Sequence, residues 1–385
     1  MLIKDICSSI TDGSHNPPQG IDTSSYLMLS SKNIFDDEIT LDQPRFLSKE
    51  DFENENKRTK VKCGDVLLTI VGTVGRVAVV PNNLPSFTLQ RSVAVLHPDE
   101  DVCSGRYLMY ALRGKRSYIE SHSKGVAQKG IYLKEVSGID LPVPSKEVQE
   151  QIIEKLDKMN SIIKSRQLEL EKLDELIKAR FVEMFGSPVS NPMFWKKRTL
   201  KEVCIKLNDG THFSPESFET GEYKYVTAKN IKVTGFDFTN ITYVPEEVHR
   251  PIYERCNPEL GDVLYIKDGA TTGIAMVNTL EEEFTLLSSV ALLKQNRTIM
   301  NGYFLTALLN NEDMYMDIRN NMGGAAITRL TIAKLNAIKV IVPPIELQKQ
   351  FADFVTQVNK SKVAVQKALD ETQLLFDSLM QKYFG

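Results

Sequence analysis

Apolar residues in one long segment recur about every 3.5 residues, which predicts a long helix with a partner. The segment runs from Pro144 to Gly186 and has no Gly or Pro between these ends. Alternate steps of four and three residues along this segment give Ile152, Leu156, Met159, Ile163, Arg166, Leu170, Leu173, Ile177, Arg180 and Met184. All of these residues are apolar except the two arginines. This spacing is typical of a left-handed coiled coil, and a helix of this length spans about 55–60 Å.

A second segment, Pro343–Gly385, repeats the design. Its corresponding positions hold Phe351, Val355, Val358, Lys362, Val365, Leu369, Thr372, Phe376, Leu379 and Tyr383. Both segments follow a valine, begin with a proline and end in Phe-Gly, and Glu147 and Glu346 place an anion in the first turn, where the helix dipole favours it. The matched ends indicate that the helices are partners of each other rather than two unrelated surface helices.

The segments that precede the two helices are also related to each other. Four pairs match at one offset of 197 residues: Thr11–His15 with Asn208–His212, Ser31–Ile34 with Ala228–Ile231, Gly64–Leu67 with Gly261–Leu264, and Ser92–Val95 with Ser289–Leu292. A single duplication explains four matches at one offset. We therefore predict a first head (1–143), a first spacer helix (144–186), a linker (187–198), a second head (199–342) and a second spacer helix (343–385).

Each head is predicted to mix short strands and helices. Hairpins are expected at Val66–Ile70 with Arg76–Val80 and at Val263–Ile266 with Ile274–Val277, helices at Tyr107–Ser121 and Tyr303–Asn320, and last strands at Ile139–Val143 and Ile338–Val342. The fold class is α/β without the regular alternation of a doubly wound sheet. The order head, helix, head, helix further predicts an antiparallel coiled coil and a pseudo-twofold, circular arrangement.

Composition narrows the function classes. The 385 residues carry a net charge of −3. A DNA-binding role would therefore need a local basic face, or a partner that supplies part of the contacts to DNA. No apolar run is long enough to cross a bilayer and no signal peptide begins the chain, so we expect a cytoplasmic protein. The five cysteines contain no CxxC pair, which favours reduced thiols.

Motifs for catalysis are weak or absent. Asn16-Pro17-Pro18-Gln19 resembles the base-holding loop of adenine methyltransferases, but Gln19 replaces the stacking aromatic and no glycine-rich S-adenosylmethionine loop follows a strand. A plain turn is the favoured interpretation. There is no GxxxxGK[ST] phosphate loop, and the scattered histidines predict no metal site. We expect a chain that is not itself an enzyme.

The duplicated heads and helices, with Gly-Asp-Val-Leu within each head and Val-Pro before each helix, resemble the specificity subunit of type I restriction-modification systems. The resemblance covers the whole chain. It implies that each head is a target recognition domain for one half of a split DNA sequence and that the helices set the spacing. It also implies two modification (methyltransferase) subunits and, where present, two restriction subunits as partners. S-adenosylmethionine, ATP and Mg²⁺ would bind those partners, with no cofactor in this chain.

DNA-contacting residues can be proposed from side-chain chemistry. Arg and Lys suit guanine edges, Asn and Gln suit adenine edges, and hydroxyl and imidazole groups beside tight turns suit phosphates. For bases we select Lys32, Asn33, Arg76, Gln90, Arg91, Gln128 and Lys129 in the first head and Lys229, Asn230, Lys267, Thr271, Thr272 and Arg329 in the second. For phosphates we select Ser14, His15, Thr211 and His212. The alternative for each is a solvated surface group or, for the repeated Lys-Asn pairs, a turn cap.

Two other functions stay open at this point. The chain could be an adenine methyltransferase itself, which the Asn-Pro-Pro loop favours and binding of S-adenosylmethionine would test. It could also be a coiled-coil scaffold that binds other proteins through its heads. Differences between the heads in Ile70–Gly75 and Lys267–Thr272 favour the reader of an asymmetric DNA target.

Overall fold

The computed structural model describes residues 1–125, 129–320 and 329–385. The chain divides into two compact units, and each contains one head together with parts of both long helices. The first unit comprises Met1–Gln167 and Lys367–Gly385, and the second comprises Leu168–Gln366. Among the described residues, no helix is both long and apolar enough to cross a membrane.

The helices are α1 (Ile3–Ile6), α2 (Lys49–Thr59), α3 (Gly105–Gly114), α4 (Arg116–Ser121), α5 (Leu133–Ser137), α6 (Lys146–Phe185), α7 (Leu200–Val203), α8 (Glu246–Arg255), α9 (Gly302–Leu309), α10 (Glu312–Asn320), α11 (Ile332–Ala337) and α12 (Ile345–Phe384). A 3₁₀ turn covers Ala228–Asn230.

The strands of the first unit are β1 (Cys7–Asp12), β2 (Leu27–Leu29), β3 (Ile34–Phe35), β4 (Glu38–Ile39), β5 (Arg45–Phe46), β6 (Val66–Thr69), β7 (Val77–Val79), β8 (Phe87–Leu89) and β9 (Val93–Pro98). Those of the second are β10 (Lys197–Thr199), β11 (Cys204–Asp209), β12 (Tyr223–Val226), β13 (Ile231–Lys232), β14 (Gly235–Phe236), β15 (Thr242–Val244), β16 (Val263–Ile266), β17 (Ala275–Val277), β18 (Phe284–Leu286), β19 (Val290–Gln295) and β20 (Lys339–Ile341).

The first unit is built on a four-stranded antiparallel sheet and a three-stranded mixed sheet. The larger sheet has the order β1-β9-β6-β7 and the smaller has the order β5-β2-β8, in which β2 and β8 are parallel. Strand β6 is buried throughout because one of its faces packs against helices and the other against the smaller sheet. This explains why its sequence, Val-Leu-Leu-Thr, is almost continuously apolar.

The second unit repeats this topology. Its sheets have the orders β11-β19-β16-β17 and β15-β12-β18, again with one parallel pair, β12 with β18. The registers correspond at the 197-residue offset: Leu67 faces Val95 in the first unit, and Leu264 faces Leu292 in the second. The heads are therefore structural repeats with the mixed α/β fold that the sequence predicts.

The two long helices have the predicted extents within two residues. Helix α6 ends where Gly186 adopts a left-handed conformation (φ 71°) and donates its N–H to the Val182 carbonyl at 2.8 Å, as expected of a C-cap. Every predicted heptad position on α6 and α12 is buried or half-buried. The heptad pattern therefore identifies the packed side of each helix.

Contacts within each unit show how the helix segments pair. In the second unit, Nζ of Lys362 lies 2.5 Å from Oδ1 of Asp174, and further along α6 the Phe181 ring lies 5.6 Å from the Phe351 ring. Residue numbers rise on α6 as they fall on α12, so these segments are antiparallel. In the first unit, Leu156 of α6 shares its core with Phe376 of α12.

Two local predictions need correction. Each helix predicted before the spacer is a pair of helices, α3 with α4 and α9 with α10, which are separated at Lys115 and at Asn310–Asn311. The strand predicted at Ile139–Val143 is reduced to a single bridge between Leu2 and Asp140, whereas β20 pairs with β10 in the second unit.

Candidate nucleic-acid interface

The loop after β1 brings an aspartate, a histidine and a distant arginine together in the first head. The Asp12 carboxylate accepts a hydrogen bond from Nη2 of Arg58, on α2, and lies 2.8 Å from Nε2 of His15. Nε of Arg58 also donates to the Asp12 carbonyl at 3.0 Å. The Asp12 side chain is only 9% exposed, whereas those of Arg58 and His15 are 52% and 53% exposed. The buried anion therefore holds two half-exposed cationic or ionisable groups.

The loop after β11 builds the same cluster in the second head. The Asp209 carboxylate lies 3.2 Å from Nε2 of His212 and 3.6 Å from Nη1 of Arg255, on α8, while Nη2 of Arg255 donates to the Gly210 carbonyl. Asp209 is buried, and the His212 and Arg255 side chains are 59% and 46% exposed. All three members match the first head at the 197-residue offset. We call these groups the aspartate-centred clusters.

A glycine allows each of these loops to lie against the neighbouring parallel strand pair. A Cβ on Gly13 would lie 2.1 Å from the Leu89 carbonyl oxygen, and a Cβ on Gly210 would lie 1.8 Å from that of Leu286. Neither distance is compatible with a side chain. The Asp-Gly-Ser/Thr-His sequence thus combines an anchoring carboxylate, a close backbone approach and an exposed imidazole.

Hydrogen bonds donated by main-chain amides gather four other loops around the first cluster. The Arg91 amide donates to the Ser14 carbonyl at 2.9 Å, and the Ser31 amide donates to Oγ of Ser92 at 3.0 Å. Further bonds run from Ile70 N to Ser92 O and from Gly72 N to Lys129 O, both at 2.9 Å. The loops that carry His15, Lys32, Arg91 and Lys129 therefore meet at one end of the head.

The second head assembles its loops with equivalent bonds. The Ser288 amide donates to the Thr211 carbonyl at 2.8 Å, and the Ala228 amide donates to Oγ of Ser289 at 3.3 Å. The Lys267 amide donates to Ser289 O at 2.9 Å, and the Leu330 amide donates to Lys267 O at 2.8 Å. These bonds bring the loops of His212, Lys229, Ser288 and Arg329 together.

Several predicted DNA contacts are exposed or half-buried on these gathered loops. They are His15, Lys32, Gln90, Arg91 and Lys129 in the first head, and His212, Lys229, Thr271 and Arg329 in the second. Arg329 also pairs with Asp268, with 3.3 Å between Nε and Oδ2. These side chains can therefore reach a ligand that approaches this end of each head.

Six other predicted contacts are buried in the loop framework: Ser14, Asn33, Thr211, Asn230, Lys267 and Thr272. The Asn33 amide group accepts from Ser30 N at 3.1 Å and donates to Asp42 O at 2.9 Å. Asn230 makes the matching bonds with Thr227 N and Asp237 O. These amides cap turns, so in this conformation they do not offer an edge to a base.

Lys267 is also turned inward. Its side chain is 2% exposed, and Nζ lies 3.2 Å from Oδ2 of Asp209, so it reinforces the second cluster from inside. Its counterpart in the first head is the core residue Ile70. Arg76 is half-buried with its guanidinium 4.8 Å from the centre of the Phe35 ring. Gln128 lies outside the described residues.

Arg58 and Arg255 are missing from the sequence-based selection. Each lies near the end of a helix whose polar surface gives no sign of a distant partner. Their identical spacing at the 197-residue offset was a usable signal, because most surface positions of the two heads differ.

The described residues offer neither a reactive buried thiol nor a cluster of metal ligands. Burial raises the pKa of the thiols of Cys7, Cys103, Cys204 and Cys256 to about 12, which keeps them protonated. Within the described ranges, no group of three or more His, Cys, Asp or Glu side chains is placed to hold a metal ion.

Comparison with known proteins shows the family. The model of the type I restriction modification DNA specificity domain matches residues 22–173 and 192–372, one match in each half of the repeat. The chain belongs to this family. Because each match extends from a head into the spacer helix that follows it, the type I specificity domain covers both repeated parts of the chain.

Sequence relatives of this chain are specificity subunits of type I restriction enzymes. The type I restriction enzyme MjaIX specificity subunit from Methanocaldococcus jannaschii is 24% identical over 343 residues, which are 83% of this chain and 76% of the relative. The EcoBI specificity subunit from Escherichia coli is 31% identical over 129 residues, a span of 33% of this chain and 27% of that protein.

Solved structures of the specificity family share the fold. The S subunit of a type I restriction-modification system from M. genitalium superposes with a TM-score of 0.60 and 16% identity, covering 100% of this chain and 95% of that one. A chain from a study of complex assembly and conformational transition of the type I R-M system gives a TM-score of 0.57 with 17% identity, covering 100% and 96%.

Proposed function

We propose that this chain is the non-catalytic specificity subunit of a type I restriction-modification complex and that each head reads one half of a split DNA target. The observation that carries the proposal is the gathering of exposed Lys, Arg and His side chains by one repeated loop framework in both heads. Such side chains supply the contacts to phosphates and base edges that duplex recognition needs. Family membership supports the same assignment.

Differences within the shared framework support an asymmetric target. The amides of Gln90 and Leu287 make the same bond, to Leu29 O and Val226 O respectively. The amides of Arg91 and Ser288 likewise bind the carbonyls of Ser14 and Thr211. Equivalent backbone positions therefore present different side chains, Gln-Arg in one head and Leu-Ser in the other. We propose that the two half-sites differ in sequence for this reason.

The spacer helices are proposed to fix the distance between half-sites and to dock partner subunits. Helices α6 and α12 carry exposed apolar side chains on the surface away from the heptad positions, among them Leu168, Leu176, Val363, Leu374 and Leu375. The fully buried centre of a protein interface is more apolar than the rest of a protein surface, so exposed apolar side chains favour a docking role. We propose two modification (methyltransferase) subunits as the partners, with S-adenosylmethionine bound there, and two restriction subunits that use ATP and Mg²⁺ where they are present.

A genome-wide map of adenine methylation tests the proposal. Cells would express the cognate modification subunit with and without this chain. We expect a split, asymmetric motif that is methylated only when both are present. If the modification subunit is active and bound to this chain but no new methylation appears, the proposal is wrong and a scaffold role replaces it.

A further inference from the structure

The aspartate-centred clusters are the feature of the loop ends that the two heads share most closely. Asp12, His15 and Arg58 have counterparts of identical residue type at Asp209, His212 and Arg255. Each cluster joins a loop to a helix that is more than 40 residues away in sequence. Lys32 and Lys229 also match, whereas other neighbouring positions differ, as Arg91 and Ser288 do.

Each arginine is only partly used by its own head. Arg58 donates through Nε and Nη2, and within the described chain its Nη1 makes no hydrogen bond. Arg255 donates through Nη2, and its Nη1 lies 3.6 Å from the Asp209 carboxylate, beyond hydrogen-bond distance. About half of each side chain is exposed. The guanidinium is thus fixed in orientation while some of its donors still face solvent.

The buried aspartate orients these donors and does not compete for the same ligand. The Asp12 and Asp209 side chains are 9% and 7% exposed, so the anion lies behind the arginine and the histidine as seen from solvent. Fixing an arginine in advance reduces the side-chain entropy that binding would otherwise cost. A fixed arginine fork matches the oxygens of a phosphate group.

We propose that the two aspartate-centred clusters are matching DNA-backbone clamps, in which the guanidinium groups of Arg58 and Arg255, beside His15 and His212, each bind phosphate oxygens. The inference rests on the proposed function. Clusters of the same three residue types are not expected to distinguish two half-sites of different sequence, whereas every duplex offers the same phosphates. The clamps therefore set the position of each head on the duplex, and the differing loops beside them read the bases.

The test uses this chain in complex with its modification subunit. Binding is measured by fluorescence anisotropy between about 50 and 200 mM salt, with one duplex that contains the methylated motif and one scrambled duplex of equal length. Arg58→Gln and Arg255→Gln are each expected to weaken both duplexes alike, on the order of threefold to tenfold. Each should also reduce the magnitude of the slope of log K against log salt concentration by about 0.9. The sequence of the methylated motif should stay the same.

Two further variants separate the clamp from a role in folding. Arg250→Gln is the matched control, because Arg250 is on the same helix as Arg255 and 48% exposed, but is held by Glu246 and Glu283 at 3.1 and 2.9 Å. It should keep the wild-type slope. Arg58→Lys retains the charge without the fork and should keep the slope with intermediate affinity. If the glutamine variants assemble normally and also keep the wild-type slope, the clusters only brace the loops.

Other outcomes locate any failure. A loss confined to the motif-containing duplex, or a changed base in the methylation map, would mean that the arginines read bases, and the clamp would be rejected. A wild-type complex that binds no DNA would reject the proposed function itself. If the wild-type complex binds DNA and methylates the motif, and the Arg58 and Arg255 substitutions change neither affinity nor salt slope, only the clamp is rejected.

Discussion

At the scale of single residues, His249 lies in surroundings that oppose a positive charge. Its side chain is fully buried, its ring stacks on Tyr223 with 3.8 Å between centroids, and Nδ1 lies 2.8 Å from Oγ1 of Thr285. Burial lowers the pKa of His249 below its ordinary value, and Arg250 adds to this. The carboxylate of Glu283, 3.2 Å from Nε2, acts in the opposite direction but does not reverse the shift.

The lowered pKa of His249 predicts that the second head loses stability in mild acid. The unfolded chain takes up a proton at this residue below about pH 6.5, and the folded chain resists it. Hydrogen–deuterium exchange in α8 should therefore show protection that falls between pH 7.5 and 5.5. His249→Gln lowers protection at pH 7.5, but the difference between wild type and variant should shrink at pH 5.5. A difference that stays constant or widens would contradict this account.

Residue types at the candidate interface were partly predictable from the sequence, but side-chain direction was not. Lys32 and Asn33 are adjacent and repeat together, yet the lysine is exposed and the asparagine closes a turn. Lys267 carries the charge expected of a base contact and is instead buried against Asp209. Whether a polar group turns outward depends on partners from distant segments, and a single sequence does not show them.

At the scale of elements, long regular patterns were predictable and short junctions were not. Helices α6 and α12 have some forty residues of consistent period, so one local exception does not alter the prediction. Helices α3 and α4 together have far fewer residues, so the break at Lys115 is not evident from the pattern. Gly114, the last residue of α3, lies directly against the end of α12.

Gly114→Ala is expected to loosen the contact between α3 and α12. The new Cβ would lie 2.4 Å from Cβ of Phe384, whose ring is 5.4 Å from that of Tyr107. Overpacking of this kind costs about 1–3 kcal/mol, although alanine in a helix is usually up to about 1 kcal/mol better than glycine. Urea unfolding and limited proteolysis of Lys367–Gly385 would measure the loss.

Gly138→Ala is the matched control for this contact. A Cβ added at Gly138 would lie 3.5 Å from its nearest neighbour, the Lys134 carbonyl oxygen, which is an ordinary contact distance. The φ of Gly138, −90°, suits alanine. We expect a change within about 0.5 kcal/mol. Equal effects of the two substitutions would show that the Phe384 contact does not limit the packing.

At the scale of the whole molecule, duplication has separated a common frame from individual reading surfaces. The frame recurs in strand order, loop glycines and aspartate-centred clusters. Variation concentrates at positions such as Gln90-Arg91 and Leu287-Ser288, where the backbone bonds are retained. The duplication was predictable from the matched motifs. That the variable positions lie together at one end of each head could be seen only in the folded structure.

Transfer of one pair of reading residues should alter one half-site alone. In the double variant Leu287→Gln, Ser288→Arg, the second head receives the side chains of Gln90 and Arg91. Because the backbone bonds are the same, the methylated motif should change in one half only, by about 1–3 kcal/mol of discrimination per base contact. Methylation maps of wild type and variant would measure it. Changes in both halves, or in neither, would show that these positions do not read bases.

The division of the chain into units has a consequence for its synthesis. The core of the first head includes Phe376 and Phe384, which the ribosome adds after the whole second head has been made. Domains usually fold in the order in which they are synthesised, but the first head is expected to complete its core only after the second head has been made. Until then part of the core of the first head stays uncovered, and a stop codon or frameshift within the codons of α12 is expected to damage the head that is encoded before it.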